Sequence, residues 1–146
     1  MNLGFKIKFN KAQSSLEFIV VFIVLFLLFI GILDFCLFFK QIYLAQTISD
    51  EVLAKLQSRN NCSADIEATK NVMSEVVEIY GNAGVVFQYE LDQGFHNFTA
   101  DGHEFSLFCR NANTPDSVSY STRYSGILFF ENQIIHSNYS SNTHFF

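Results

Sequence analysis

The sequence predicts an α+β protein: a long N-terminal transmembrane and amphipathic helix joined to a small C-terminal head of one short helix and an antiparallel β-sheet. Three observations carry that expectation. Phe18 to Phe39 is 22 residues long with Asp34 its one charged side chain. Apolar residues then recur at helical spacing as far as Leu56. After Gly84 the chain changes to short β-branched and aromatic runs divided by Gly, Asn, Asp and Pro, the pattern of strands and turns.

The first element follows from the bilayer's dimensions. A helix of about 20 apolar residues crosses a hydrocarbon core of roughly 30 Å, so Phe18 to Phe39 is long enough to span one. Lys6, Lys8 and Lys11 precede the run with no acid among them, which by the positive-inside bias places the N-terminus in the cytoplasm and the chain after Lys40 outside. The run exceeds the apolar core of an ordinary secretory signal and is followed by bulky Phe38, Phe39 and Lys40, which disfavours cleavage after it. The helix continues, because Ile42, Ala45, Ile48, Ser49, Val52 and Leu56 share one face while Gln41, Asp50, Glu51 and Lys55 occupy others. Glu51 and Lys55 are spaced for an ion pair one turn apart. The expected helix runs from about Ser14 to Ser58, where Arg59-Asn60-Asn61-Cys62 breaks it.

Ahead of the apolar run stands Lys11-Ala12-Gln13-Ser14-Ser15-Leu16-Glu17, which resembles the processing site of archaeal type IV pilin-like precursors (class III signal peptides of the Q-x-S-x-E type). The resemblance implies a prepilin peptidase that cuts between Ala12 and Gln13, leaving Glu17 as the fifth residue of the mature chain. Ala12 stands where that family more often has Gly. Gly31-Ile32-Leu33-Asp34-Phe35, leading into a polar helix, is also similar to small pseudopilins of the TadE-like kind, which share an acidic residue late in the apolar helix. Together the resemblances cover Lys11 to Leu56, and they imply assembly with other pilin-like subunits as a homo- or hetero-polymer.

Glu17 and Asp34 are the two acids that need a physical account, since a carboxylate in an apolar segment is costly in lipid and usually marks a partner. The resemblance implies that Glu17 pairs with the new α-amine at Gln13 of a neighbouring subunit, a contact that fixes register more than it adds stability. Cyclisation of Gln13 to pyroglutamate would remove that amine's charge. The plainer reading of Glu17 is an acid at the interfacial start of an uncleaved anchor, favourable to the helix dipole. For Asp34, Gly31 one turn earlier permits close helix packing that would shield the acid or bring a partner backbone to it. Alternatively, Asp34 reaches the outer interface beside an aromatic collar of Phe35 to Phe39. Cys36 reads as a small apolar residue rather than a reactive thiol.

The expected domain organisation is therefore a leader at 1–12, a long helix at 13–58 and an exterior head at 59–146. Loss of Lys6, Lys8 and Lys11 leaves six basic side chains against 14 acidic, a balance of −8. That excludes a nucleic-acid binder, which needs clustered Lys and Arg, and fits a self-repelling outer surface.

Within the head, Asp65 to Tyr80 carries Ile66, Val72, Met73, Val76, Val77 and Tyr80 at helical spacing before Gly81, a helix stop. Strands are expected at Val85–Leu91, Glu104–Arg110, Ser117–Tyr124 and Ile127–Ile135, with Asp101-Gly102 as a turn, giving a four-stranded meander against the outer half of the long helix. Cys62 and Cys109 both lie in the exterior part, where a disulfide persists; closing 47 residues would add about 4 kcal/mol by chain entropy, the alternative being two unpaired thiols. Asn61, Asn97 and Asn138 each begin an N-x-S/T pattern on the side where glycosylation is possible. Asn97 and Asn138 are the better acceptors, because Asn61 adjoins Cys62.

No catalytic set, cofactor or metal site is expected. His96 and His103 fall around the Asp101 turn near Glu104 without metal-ligand spacing and read as solvated loop histidines, and no phosphate-binding loop appears. The expected function is a filament subunit or minor pilin with membrane, peptidase and sister subunits as partners. Its expected location is a single-pass precursor in the cell membrane, then a surface filament. The alternative is a bitopic surface protein whose head binds a ligand or partner, and a small tethered enzyme is the weakest reading.

Overall fold

The structure, a computed structural model, describes the backbone of residues 3–140 and the side chains of residues 13–140. The side chains of Lys11 and Ala12 and the terminal Phe145-Phe146 lie outside the described residues. Helix α1 runs over Leu3–Ser58 and α2 over Ile66–Ile79. The strands are β1 (Gln88–Asp92), β2 (Phe95–Ala100), β3 (His103–Asn111), β4 (Thr114–Tyr124) and β5 (Gln133–Ser140). They form one antiparallel sheet in the order β1-β2-β3-β4-β5. The class is α+β, as the sequence predicts.

α1 ends where expected and begins earlier, at Leu3, because nothing from Leu3 to Gln13 except Gly4 resists helix and no proline interrupts it. Its end is a Schellman turn with Asn60 in the left-handed position (φ +48°). Asn60 N–H donates to Gln57 O at 3.1 Å and Asn61 N–H to Leu56 O at 3.1 Å. α2 closes the same way: Gly81 (φ +100°) donates to Glu78 O and Asn82 to Val77 O. At its start Asp65 caps Ala68 N–H at 3.1 Å.

The sheet has five strands where four were expected. The missed strand, β2, is announced by Gly94: Gln93 and Gly94 both have positive φ (+46° and +84°) and form the two-residue hairpin that pairs Asp92 with Phe95. β1 starts at Gln88 rather than Val85. The expected strand Ile127–Ile135 is a correction of more consequence, since residues 125–132 form a loop and β5 begins only at Gln133. His96 and His103 are likewise not loop residues; they sit half-buried within β2 and β3. Tyr89 Oη lies 2.8 Å from His96 Nδ1 and Tyr120 Oη 2.6 Å from His103 Nδ1.

The core lies between the sheet, α2 and the C-terminal part of α1. Ala45, Ile48, Val52, Leu53 and Leu56 face Val72, Met73, Val76 and Val77 of α2 and Phe98, Phe105, Leu107, Val118, Tyr120 and Ile135 of the sheet. Phe105 packs on Tyr120 with ring centres 4.6 Å apart. Ser137 fixes β5 to α1, donating to Ala45 O at 3.0 Å and meeting Ser49 Oγ. Cys62 and Cys109 form a disulfide with Cα atoms 5.9 Å apart. Beside it, Ala112 O accepts the N–H groups of Cys62, Ser63 and Ala64 at 3.0, 3.0 and 2.9 Å, so the α1–α2 link and the β3–β4 turn are tied covalently and by hydrogen bonds. The expected Glu51–Lys55 pair is present at 3.7 Å, and Lys55 also meets Glu75 at 3.0 Å.

Candidate functional site

Two stretches of α1 carry the acids singled out by the sequence, and the fold treats them differently. From Gln13 to Phe29 every side chain is exposed, Glu17 among them. Among the described residues nothing pairs with Glu17. α1 is the one helix among the described residues long and apolar enough to cross a membrane.

Asp34 is instead fully buried, at 0% exposure, although both residues before it and all three after it are exposed. What covers it is the β4–β5 loop. Ile127 N–H donates to Oδ1 at 2.9 Å, and Leu128 and Phe129 N–H donate to Oδ2 at 3.1 and 2.8 Å. Tyr124 Oη approaches Oδ1 at 3.5 Å, the outer limit of a hydrogen bond. Successive backbone N–H groups turned to one centre form an anion-binding nest, and here the anion is a side chain of the same protein. This explains why Ile127–Phe130 is not a strand: the amides that a ladder would use are committed to Asp34.

The loop conformation depends on two glycines for space. A Cβ on Gly126 would collide with the Asp34 carboxylate, and one on Gly31 would lie 3.0 Å from Phe129 Cε2. Gly126 N–H donates to Phe130 O at 2.7 Å, closing the loop on itself. Phe130 stacks on Phe38 at 4.2 Å with planes 3° apart, and the Tyr124 ring lies 5.8 Å from that of Phe38. What packs closely over Gly31 is the β4–β5 loop of the head rather than another helix, and the same loop brings the backbone that meets Asp34. Tyr124, Gly126 and Ile127–Phe130 were not singled out as site residues. The signal available was their unbroken apolar run after Ser125-Gly126, where a half-buried strand would alternate.

The remaining sequence candidates are scattered over the head. Asn138 is exposed on β5, whereas Asn97 is half-buried and accepts from Ser106 Oγ at 2.9 Å. Asn61 is a correction: it is buried, its Nδ2 donates to Asp65 O and Thr69 Oγ1 at 3.0 and 3.1 Å, and its Oδ1 accepts from Asp65 N–H. A glycan on Nδ2 would displace those contacts, so the folded head offers no acceptor there. Burial lowers the imidazole pKa of His96 and His103, partly opposed at His103 by the nearby Asp101 carboxylate. Among the described residues no three His, Cys, Asp or Glu side chains cluster as a metal site would require.

No curated protein and no solved structure gives a significant match to this chain. Residues 12–50 match the family model of TadE-like proteins. The matched stretch lies wholly within α1 and includes both Glu17 and Asp34. Over that helix the chain is similar to TadE-like proteins, and this similarity supports a pilin-like protein.

Proposed function

We propose that the chain is a structural subunit or minor pilin of a type IV pilus-like surface filament of the archaeal kind. It is made as a precursor with a cytoplasmic N-terminus, cut by a prepilin peptidase between Ala12 and Gln13, held in the membrane by α1, and drawn laterally into the polymer. Its work is assembly, without catalytic turnover. One observation carries this reading: α1 is a single continuous helix whose first part, Gln13–Phe29, is bare and, from Phe18 onward, wholly apolar, while its last part is built into the head. A bare helix of about 25 Å suits lipid before assembly and the helices of sister subunits after it, with no refolding of the head between the two. The similarity of residues 12–50 to TadE-like proteins supports the same reading.

The test is the N-terminus of the protein from its native cell surface, read by mass spectrometry. A chain beginning at Gln13, or at its pyroglutamate, is the expected result. An intact Met1 to Ala12 segment on most of the protein would overturn the filament reading in favour of a permanent bitopic anchor.

A further inference from the structure

The apolar side chains at the tip of the β4–β5 loop remain mostly exposed among the described residues. Ile127, Leu128 and Phe129 are 59, 52 and 66% exposed, yet the backbone N–H of each is bonded to Asp34. Phe129 lies over Gly31 and continues an apolar groove formed by Val24, Leu27, Leu28, Ile32 and Phe35. All five of those residues lie within the span Phe18–Phe39. The hydrogen bonds to Asp34 fix the loop's height along α1. Asp34 and Gly31 precede Lys40 by six and nine residues, or about 9 and 14 Å at 1.5 Å per residue. If α1 spans a membrane with Lys40 at the outer surface, the loop tip lies below that surface.

Its chemistry suits that depth. From Tyr124 to Phe130 there is no charged side chain, and Arg123 and Glu131 stand at the two rims. A backbone segment entering lipid must have its polar groups satisfied internally. The N–H groups of Ile127, Leu128 and Phe129 meet that requirement through Asp34, and that of Gly126 through Phe130 O. The same contacts relieve the acid of its cost in an apolar setting.

We propose that the β4–β5 loop is a membrane-inserting element of the head, which lays Ile127, Leu128 and Phe129 among the acyl chains of the outer leaflet, with Asp34 as its attachment to the spanning helix. The inference rests on α1 being membrane-spanning, as proposed above. In this arrangement the head is seated into the bilayer at a fixed depth and azimuth before assembly begins.

The protein contains no tryptophan, so a single introduced indole reports its own surroundings. Leu128→Trp is compared with Leu25→Trp in the span and Asn113→Trp at the exposed β3–β4 turn. Each full-length variant is reconstituted in phosphatidylcholine vesicles with or without brominated acyl chains, and Phe129→Trp serves as a second loop probe if Leu128→Trp loses the native circular dichroism. The expected result is that the loop indole loses fluorescence to brominated lipid about as strongly as Leu25→Trp, emits at shorter wavelength than Asn113→Trp, and is shielded from aqueous acrylamide. Quenching of the loop indole by acrylamide alone, with Leu25→Trp still quenched by lipid, would overturn the loop's insertion and leave the spanning helix standing. Shielding from both quenchers would also overturn it, in favour of a contact with a second copy. If Leu25→Trp itself escapes brominated lipid, the spanning reading falls and the loop proposal with it.

Discussion

Asp34 is one residue whose replacement tests a whole packing scheme. Asparagine keeps the shape but supplies one acceptor oxygen and turns an N–H₂ toward amides that need an acceptor. Asp34→Asn is expected to destabilise the folded head by about 2–4 kcal/mol, the scale of buried donors left unpaired together with lost charge-assisted bonds. Gly126→Ala approaches the same site sterically, since its Cβ would collide with the carboxylate, and should cost about 1–3 kcal/mol. Denaturant titration of the full chain in detergent checks both, and wild-type stability in either variant would mean the loop is held by something other than Asp34. His103 offers a pH-dependent test. Its folded pKa lies below the ordinary 6.5 because burial disfavours the imidazolium, so the unfolded chain binds the extra proton first. The head keeps its full stability above the unfolded value and loses it as pH falls through that value and then the folded one. His103→Asn should therefore differ most from wild type in thermal midpoint above about pH 7, with the difference shrinking as pH falls below the unfolded value. A constant difference would show that the site does not titrate on unfolding.

The helices and strands divide according to how local their causes are. α2 is legible from Asp65 to Gly81, because a cap, an apolar stripe and a left-handed stop all act within one turn of the element. α1 is legible for the same reason, and the face predicted from Ile42 to Leu56 is the face that is buried, with Ile42 at its partly covered margin. β2 escaped notice because Phe95-His96-Asn97-Phe98-Thr99-Ala100 alternates weakly, while the Gln93-Gly94 turn that defines it has a less common first residue than Asn or Asp. The linker between the helices is stabilised by the Cys62–Cys109 disulfide, the three bonds to Ala112 O and buried Asn61. Replacing both cysteines by serine is expected to cost about 2–4 kcal/mol, read as a lower denaturation midpoint. An unchanged midpoint would mean that the hydrogen bonds to Ala112 hold this junction unaided.

Across the whole molecule the design is a division along one helix. Gln13–Phe29 of α1 is exposed throughout, which the proposed function assigns to lipid or to other helices, and the C-terminal part of α1 serves as a strut for the head. Glu17 stands in the exposed part, clear of the head's contacts, where the proposed function gives it a role between subunits. Glu17→Ala should accordingly leave membrane insertion and head stability unchanged while reducing incorporation into filaments. Fractionation of membrane and sheared filament pools measures this, and normal incorporation would remove Glu17 from the assembly step.

The sequence by itself determined the elements whose causes are short-range: the apolar span and its charged flank, the amphipathic continuation to Ser58, the capped second helix, and the β character of the head. It also marked Asp34 as an acid in need of a partner and the two cysteines as a possible pair. The tertiary structure alone decided what Asp34 binds, that Ile127–Phe130 is a loop, and that Asn61 is a buried structural residue. The reason is distance along the chain. Ile127 lies 93 residues from the carboxylate it bonds, and no local periodicity registers a partner that only the folded sheet, seated on the same helix, brings within reach.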